Sequence, residues 1–214
     1  MKVSAIKLRP AVVNSATAIT LTLVEPSGNG VGSDAFAILW DGKELHGLNA
    51  SGRAPKAATF EAVSTAFGGA AKAQRNHPHA VTIPGAVDGY LTLLERFGTW
   101  GIDKIVEPAR RYAAEGFPVH DRVRNDWAGE VSLIKQDPDA VKALLVGGEL
   151  PKLGGRMAFP ALAKTLAEIG SKGRAGFYDG WVLDDMLSKL KSGGGFHQAS
   201  DFTDTASTWV DPIS

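Results

Sequence analysis

The chain has 214 residues, 44% hydrophobic and 21% charged, which is enough to bury the core of one globular domain. Its 23 basic and 23 acidic residues balance, leaving no net field for nucleic acid or an anionic membrane surface. The absence of cysteine excludes disulfides, thiolate metal sites and thiol nucleophiles, and no apolar run is long enough to span a bilayer.

Lys2, Lys7 and Arg9 precede residues 11–24, an order that superficially resembles a signal peptide. Asn14, Ser15, Thr17, Thr20 and Thr22 make the stretch too polar for a leader's apolar region, and no clear cleavage site precedes Glu25. The expectation is a packed helix of small residues, ended by Pro26 and Gly28. Residues 33–40 and 43–49 read as two strands joined by the hairpin signal Asp41-Gly42. Residues 50–59 are a tight connection, 60–80 a short helix and loop, and 79–83 a short strand.

Beyond Pro84-Gly85 the pattern turns helical. Val87, Tyr90, Leu91, Leu94 and Phe97 are spaced for a helix over 86–97. Further helices are expected over 102–116, with Pro108 as an interior irregularity, and over 119–135. Another covers 137–145, where Asp137-Pro138 is a start signal. The last two cover 159–169 and 181–190, the final one stopped by Gly193-Gly194-Gly195. Strands come early and a helical flank late, so the fold class is α+β.

Gly28-Asn29-Gly30-Val31-Gly32 invites a phosphate-loop reading, but a helix precedes it, a strand follows it, and no Walker lysine is present. A tight turn accounts for it. Proline between His77 and His79 forbids a two-histidine helical face, and His46, His120 and His197 stand apart in sequence, so no metal site is expected. These isolated histidines are expected at or near the surface. Ser27, Ser33 and Ser51 lie in no nucleophile elbow. Asp184-Asp185 reads as a solvated helix face. Arg53 stands among small residues, where a guanidinium serves either to grip a substrate carboxylate at two points or to pair with a neighbouring loop.

Several segments in fixed order resemble the large subunit of the gamma-glutamyltransferase family. They are Val24-Glu25-Pro26 with the glycine turn and Phe36, Ala54-Pro55, Pro84-Gly85-Ala86-Val87-Asp88-Gly89, Phe97-Gly98 and Pro108-Ala109-Arg110. The order continues with Ala114-Glu115-Gly116-Phe117-Pro118-Val119, Leu162-Ala163-Lys164-Thr165-Leu166, Gly176-Phe177-Tyr178-Asp179-Gly180 and Asp201-Phe202. The resemblance implies an N-terminal nucleophile (Ntn) hydrolase with a four-layer αββα sandwich. Residues 1–214 would then be one incomplete domain, the large-subunit portion, and its partner the small subunit of the same precursor. That subunit opens with the nucleophilic threonine, whose own amine is the base. No catalytic residue is therefore expected in this chain, and no cofactor.

The resemblance also implies a small-molecule gamma-glutamyl substrate of the glutathione type. The family's carboxylate-binding arginine belongs to an Arg-Glu-x-Ala-Pro motif, and counting back from Ala54-Pro55 puts Ser51 at that position. Arg53 lies two residues on. In extended backbone it faces the same side, displaced by about 6–7 Å, so Arg53 and Ser51 are the candidate substrate-binding residues. This departure leaves two alternatives: a beta-lactam or other amide acylase on the same scaffold, and a non-catalytic fragment.

Overall fold

Small residues and close backbone approaches determine how this chain packs. The computed structural model describes residues 10–69 and 77–213. The basic residues ahead of the first helix, and Asn76, lie outside them. In chain order the elements begin with helix α1 (Pro10–Val24), strands β1 (Ala35–Trp40) and β2 (Leu45–Ala50), and helices α2 (Phe60–Ala66), α3 (Ala86–Phe97) and α4 (Ile102–Glu115). Strand β3 (Phe117–Pro118), helices α5 (Asp121–Ile134) and α6 (Pro138–Leu144) and strand β4 (Arg156–Met157) follow. Helices α7 (Pro160–Lys172), α8 (Ala175–Tyr178), α9 (Gly180–Ser192) and α10 (Ala199–Thr203) and strand β5 (Thr208–Val210) complete the order. The described residues divide into two units, one running to Val31 and over Thr99–Ser171, the other over Gly32–Gly98 and from Lys172 onward.

In the first unit α1 packs on α4. Ala11, Val12, Ile19 and Leu23 of α1 are buried, as are Ile105, Val106, Ala109 and Ala113 of α4. The alanines let the two backbones approach, so α1 is a buried helix of small residues, as its composition suggested. Pro108 does not interrupt α4, which ends at Gly116 (φ 90°). That glycine admits the pairing of β3 with β4, since a Cβ there would lie 2.6 Å from Arg156 Cγ. Asp137 caps α6 through its carboxylate, as its sequence signal required. Gly170 of α7 faces Val106 of α4, where a Cβ would come within 2.9 Å of Val106 Cγ2.

In the second unit β1, β2 and β5 form an antiparallel sheet with β2 in the centre. Alternation along β1 sorts its side chains between two faces. Ala35, Ala37 and Leu39 pair with Ala50, Leu48 and His46 on the face covered by α3. Phe36, Ile38 and Trp40 are opposite Asn49, Gly47 and Leu45 on the other face, and are 71%, 71% and 58% exposed. The hairpin turns at Gly42 (φ 102°), as Asp41-Gly42 implied.

Two expectations are corrected. Residues 79–83 form no strand: Pro78–Ala80 is a 3-10 turn, and only Ile83 makes a ladder-like bond, its N–H donating to Arg53 O at 2.9 Å. The helical flank stands as expected and also carries the short strands β3, β4 and β5, of which β5 returns to the sheet. Segment 119–135 starts two residues later than expected, because His120 caps α5 with Nδ1 accepting from Arg122 N–H.

Glycines in Pro84-Gly85-Ala86-Val87-Asp88-Gly89 explain how α3 reaches the sheet. A Cβ on Gly85 would lie 2.1 Å from Ala50 O, and one on Gly89 2.5 Å from Ala50 Cβ. Gly85→Ala is therefore expected to destabilise the fold by about 1–3 kcal/mol through overpacking. Gly28→Ala, with no atom within 4 Å of the added carbon, should stay within about 0.5 kcal/mol of wild type. Urea unfolding of both variants checks the contrast.

Candidate functional site

The first turn of α3 gathers the polar groups of the second unit. Tyr178 Oη donates to Pro84 O at 2.8 Å and accepts from Asp88 N–H at 3.1 Å. Burial pushes the Tyr178 phenol far up, so it stays a neutral hydroxyl able to do both. The Asp88 carboxylate, 7% exposed, accepts from Arg174 Nε at 2.9 Å and from Ser207 N–H at 2.6 Å. The Arg174 guanidinium also donates to Thr205 O and Phe202 O and lies 4.6 Å from the centre of the Tyr178 ring. Residues 84–88, 174–178 and 202–207 are thereby tied at one point.

Beside this knot lies a cleft of about 170 Å³, lined by Arg53, Ala54, Lys56, Ile83, Asp201, Asp204, Thr205 and Ala206. At about 30 Å³ per water it holds a carboxylate and its adjoining carbons. Lys56 Nζ pairs with Asp204 Oδ2 at 2.7 Å. That contact raises the lysine and lowers the carboxyl from their ordinary values. Asp201 is buried, accepting from Lys56 N–H at 3.1 Å and Gln198 N–H at 2.9 Å. Arg53 is exposed, its carbonyl bonded to Ile83, and among the described residues no ion pair engages its guanidinium. The cleft thus holds two cations and two carboxylates, and Arg53 is the cation among them with no direct ion pair, a guanidinium left open to a carboxylate.

Ser51 does not line this cleft. Its N–H donates to Asn49 Oδ1 at 2.8 Å, and the following Gly52 N–H donates to Asp34 Oδ1 at 2.8 Å. Sequence reasoning passed over Lys56, Asp204 and Arg174. Arg174 gave one faint signal, a lone cation directly before the small and aromatic residues 175–178.

Two of the three isolated histidines depart from the expectation of sites at or near the surface, while His120 is exposed. His46 and His197 are buried. His46 Nε2 lies 3.0 Å from Asp41 Oδ2 and 3.6 Å from Glu44 Oε1, and its ring packs on Phe97 and Trp209. These three are the one group of carboxylate and imidazole ligands drawn together among the described residues. The hairpin accounts for them without an ion: the N–H groups of Glu44 and Lys43 hold Asp41 Oδ1. Those donors, with His46, keep the Asp41 carboxyl well below its usual range. The His77 and His79 rings meet at a tilt with centres 4.4 Å apart, and His79 lies flat on Phe196. Asp184 and Asp185 are exposed on α9.

The first unit has its own cleft of about 400 Å³, lined by Val24, Glu25, Tyr112, Phe117, Pro118, His120 and Val123. It is apolar, and no polar network comparable to that around Asp88 reaches it among the described residues.

The gamma-glutamyltranspeptidase family model matches residues 11–214. A glutathione hydrolase-like proenzyme of Bacillus subtilis is 30% identical over 201 residues, covering 93% of this chain and 38% of that one. A solved cephalosporin acylase from Bacillus halodurans is similar with a TM-score of 0.89 and 33% identity, over 96% of this chain and 39% of its own. A gamma-glutamyltranspeptidase of Helicobacter pylori gives a TM-score of 0.89 over 95% of this chain and 59% of its own, and at 24% identity this is a likeness of fold alone. The chain spans about a third of the length of the curated relatives it matches. Its mixed helix and strand architecture is that of the Ntn hydrolases.

His197 yields a prediction in pH. Burial lowers it from its ordinary value of 6.5, against the favourable Val81 O hydrogen bond and the nearby Asp201. The folded state then binds fewer protons than the unfolded state, so the contribution is whole above about pH 6.5 and is lost as pH falls through the lower folded value. The stability margin of wild type over His197→Gln should shrink between pH 7.5 and 5.5 in urea titrations. A constant or growing margin contradicts this.

Proposed function

This chain belongs to the gamma-glutamyltranspeptidase family, and we propose that it is the large-subunit portion of an amidohydrolase acting on gamma-glutamyl substrates of the glutathione type. On this reading its 214 residues are one incomplete domain of a longer fold. The nucleophile, a threonine opening the small subunit of the same precursor, comes from outside the chain. Several relatives carry proenzyme in their names, which accords with such a cut.

One observation carries the reading beyond family membership. The sheet has two apolar faces, and only one is covered by α3. Phe36, Ile38, Trp40, Leu45 and Val210 are all exposed, and their strand register puts them together on the bare side. A second sheet laid on that side would bury them and produce a layered sandwich.

In this scheme the chain supplies one wall of the substrate site. Arg53 grips a substrate carboxylate, and Ser51, at the position of the family's arginine but outside the cleft lining, is the second candidate contact. The acyl group passes to the partner's threonine and then to water or an amino acid, so this chain holds scaffold and recognition and no reacting atom. A second reading, an acylase for beta-lactams or other amides, is favoured by the 33% identity to the cephalosporin acylase.

Two experiments test these statements. The purified chain should release no anilide from a gamma-glutamyl anilide, whereas the full precursor should release it. In the precursor, Arg53→Ala should raise KM for carboxylate-bearing substrates by about tenfold or more, leaving kcat little changed and neutral amides spared. Preferred turnover of a cephalosporin side chain in the same panel would select the second reading. Separately, the bare sheet face should make the isolated chain self-associate. Light scattering should show species above monomer mass, and Ile38→Lys should reduce them.

A further inference from the structure

We propose that Arg174 is a positioning residue for the Arg53 cleft. By joining the Asp88 carboxylate to the carbonyls of Phe202 and Thr205, it sets the wall that faces Arg53 and so the cleft's preference for a carboxylate. The inference rests on the carboxylate-binding role given to Arg53 above. The cleft has two walls of unequal rigidity. One comprises residues 53–56 and Ile83, tied to the rest of the unit by the bond from Ile83 N–H to Arg53 O and by Asp34 through Gly52. The other runs from Asp201 to Ala206, leaving the five-residue α10 and crossing irregular backbone before β5 begins at Thr208.

Within that second wall the local bonds are short-range: Asp204 N–H donates to Ser200 O and Thr205 N–H to Phe202 O. The main chain of 205–207 is tied to distant residues through Arg174, which takes the Thr205 carbonyl, and Asp88, which takes Ser207 N–H. Arg174 itself cannot swing freely. Its Nε is held by Asp88 and its guanidinium lies over the Tyr178 ring, whose hydroxyl is fixed by Pro84 and Asp88.

The charges are sorted as well as the backbone. Arg174 neutralises Asp88 and Lys56 neutralises Asp204, while the Asp201 oxygens are taken by the N–H groups of Lys56 and Gln198, so among the described residues no carboxylate is in direct contact with the Arg53 guanidinium. Losing Arg174 would free the Thr205 carbonyl, whose lone pairs repel an incoming carboxylate, and would leave Asp88 without its cation. Both changes weaken anion binding and spare a neutral ligand. A planar guanidinium reaches acceptors on separate segments from different nitrogens, whereas the three donors of a lysine all leave one atom and cannot span them in the same geometry.

The test uses the 15N-labelled chain carrying Ile38→Lys on its bare sheet face to hold it monomeric, titrated with butyrate and with its neutral isostere butyramide, following the amides of residues 53, 56 and 204–206; this background stands as wild type in the comparisons. In wild type, butyrate should shift these amides and butyramide should not. Arg174→Gln should weaken butyrate binding by about tenfold or more while the β1 and β2 amides keep their positions. Arg174→Lys should recover part of the loss, a graded rescue that a purely structural role would not produce. Should Arg174→Gln fail to fold, Arg174→Lys and Asp88→Asn decide the matter by the same ratio of butyrate to butyramide affinity. Wild-type butyrate affinity in the Arg174 variants overturns the positioning role alone. If wild type does not discriminate the two ligands, or Arg53→Ala binds butyrate as wild type does, the reading of Arg53 falls and this inference with it.

Discussion

The contact between Asp88 and Arg174 is the constraint around which the second unit is organised. Asp88 lies in the first turn of α3, where the helix dipole favours a negative charge, and its two oxygens are committed to separate segments of the chain. Eighty-six positions separate it from Arg174, so the contact closes a long loop and brings α8 beneath α3. Tyr178 fixes the same turn from the other side. A buried acceptor deprived of its donor costs about 1–3 kcal/mol, and here each loss would release a neighbour as well. Coupling of that kind makes the three residues behave as one unit.

Backbone proximity is the second constraint, and it depends on the first. The knot draws α3 down until residues 85 and 89 touch the end of β2, a distance only glycine allows. The motif Pro84-Gly85-Ala86-Val87-Asp88-Gly89 therefore has a packing explanation in full: two glycines for contact, one aspartate for the knot, one proline whose carbonyl receives Tyr178. A motif that marks a family need not touch substrate. This one holds the sheet and the 202–207 segment in register, and Arg53 follows β2 by three residues.

How much of this could be read in the sequence follows the range of each interaction. The hairpin of β1 and β2 was legible because alternation and Asp41-Gly42 are local. The helices over 86–97, 102–115 and 138–144 were legible because their periodicity and caps lie within one segment. Strands β3, β4 and β5 were not, since two or three residues cannot display a period, and their pairing is decided by partners far along the chain. The strand expected at 79–83 failed for a related reason: Pro78 sets a tight turn, and the extended residues that follow find only one ladder bond. Arg53 was singled out because it is a cation among small residues. Its surroundings were invisible, because Asp201, Asp204 and Thr205 come from about 150 positions later. The buried histidines were misjudged because their partners, Phe97 and Trp209 for His46, and Val81 for His197, are equally remote.

The sheet itself carries the argument about incompleteness. On β1 the larger side chains, Phe36, Ile38 and Trp40, face away from α3, while Ala35, Ala37 and Leu39 face toward it. An outer sheet of a two-layer domain shows the opposite pattern, with bulk inside and polar groups outside. Bulk on the uncovered side is the signature of an inner layer. The small covered side matches the close glycine-mediated seat of α3, and the bulky side matches the roughly 10 Å spacing of one sheet on another. The two faces of β1 thus suit two different neighbours: the covered face takes the helix α3, and on the proposed reading the bare face takes a second sheet.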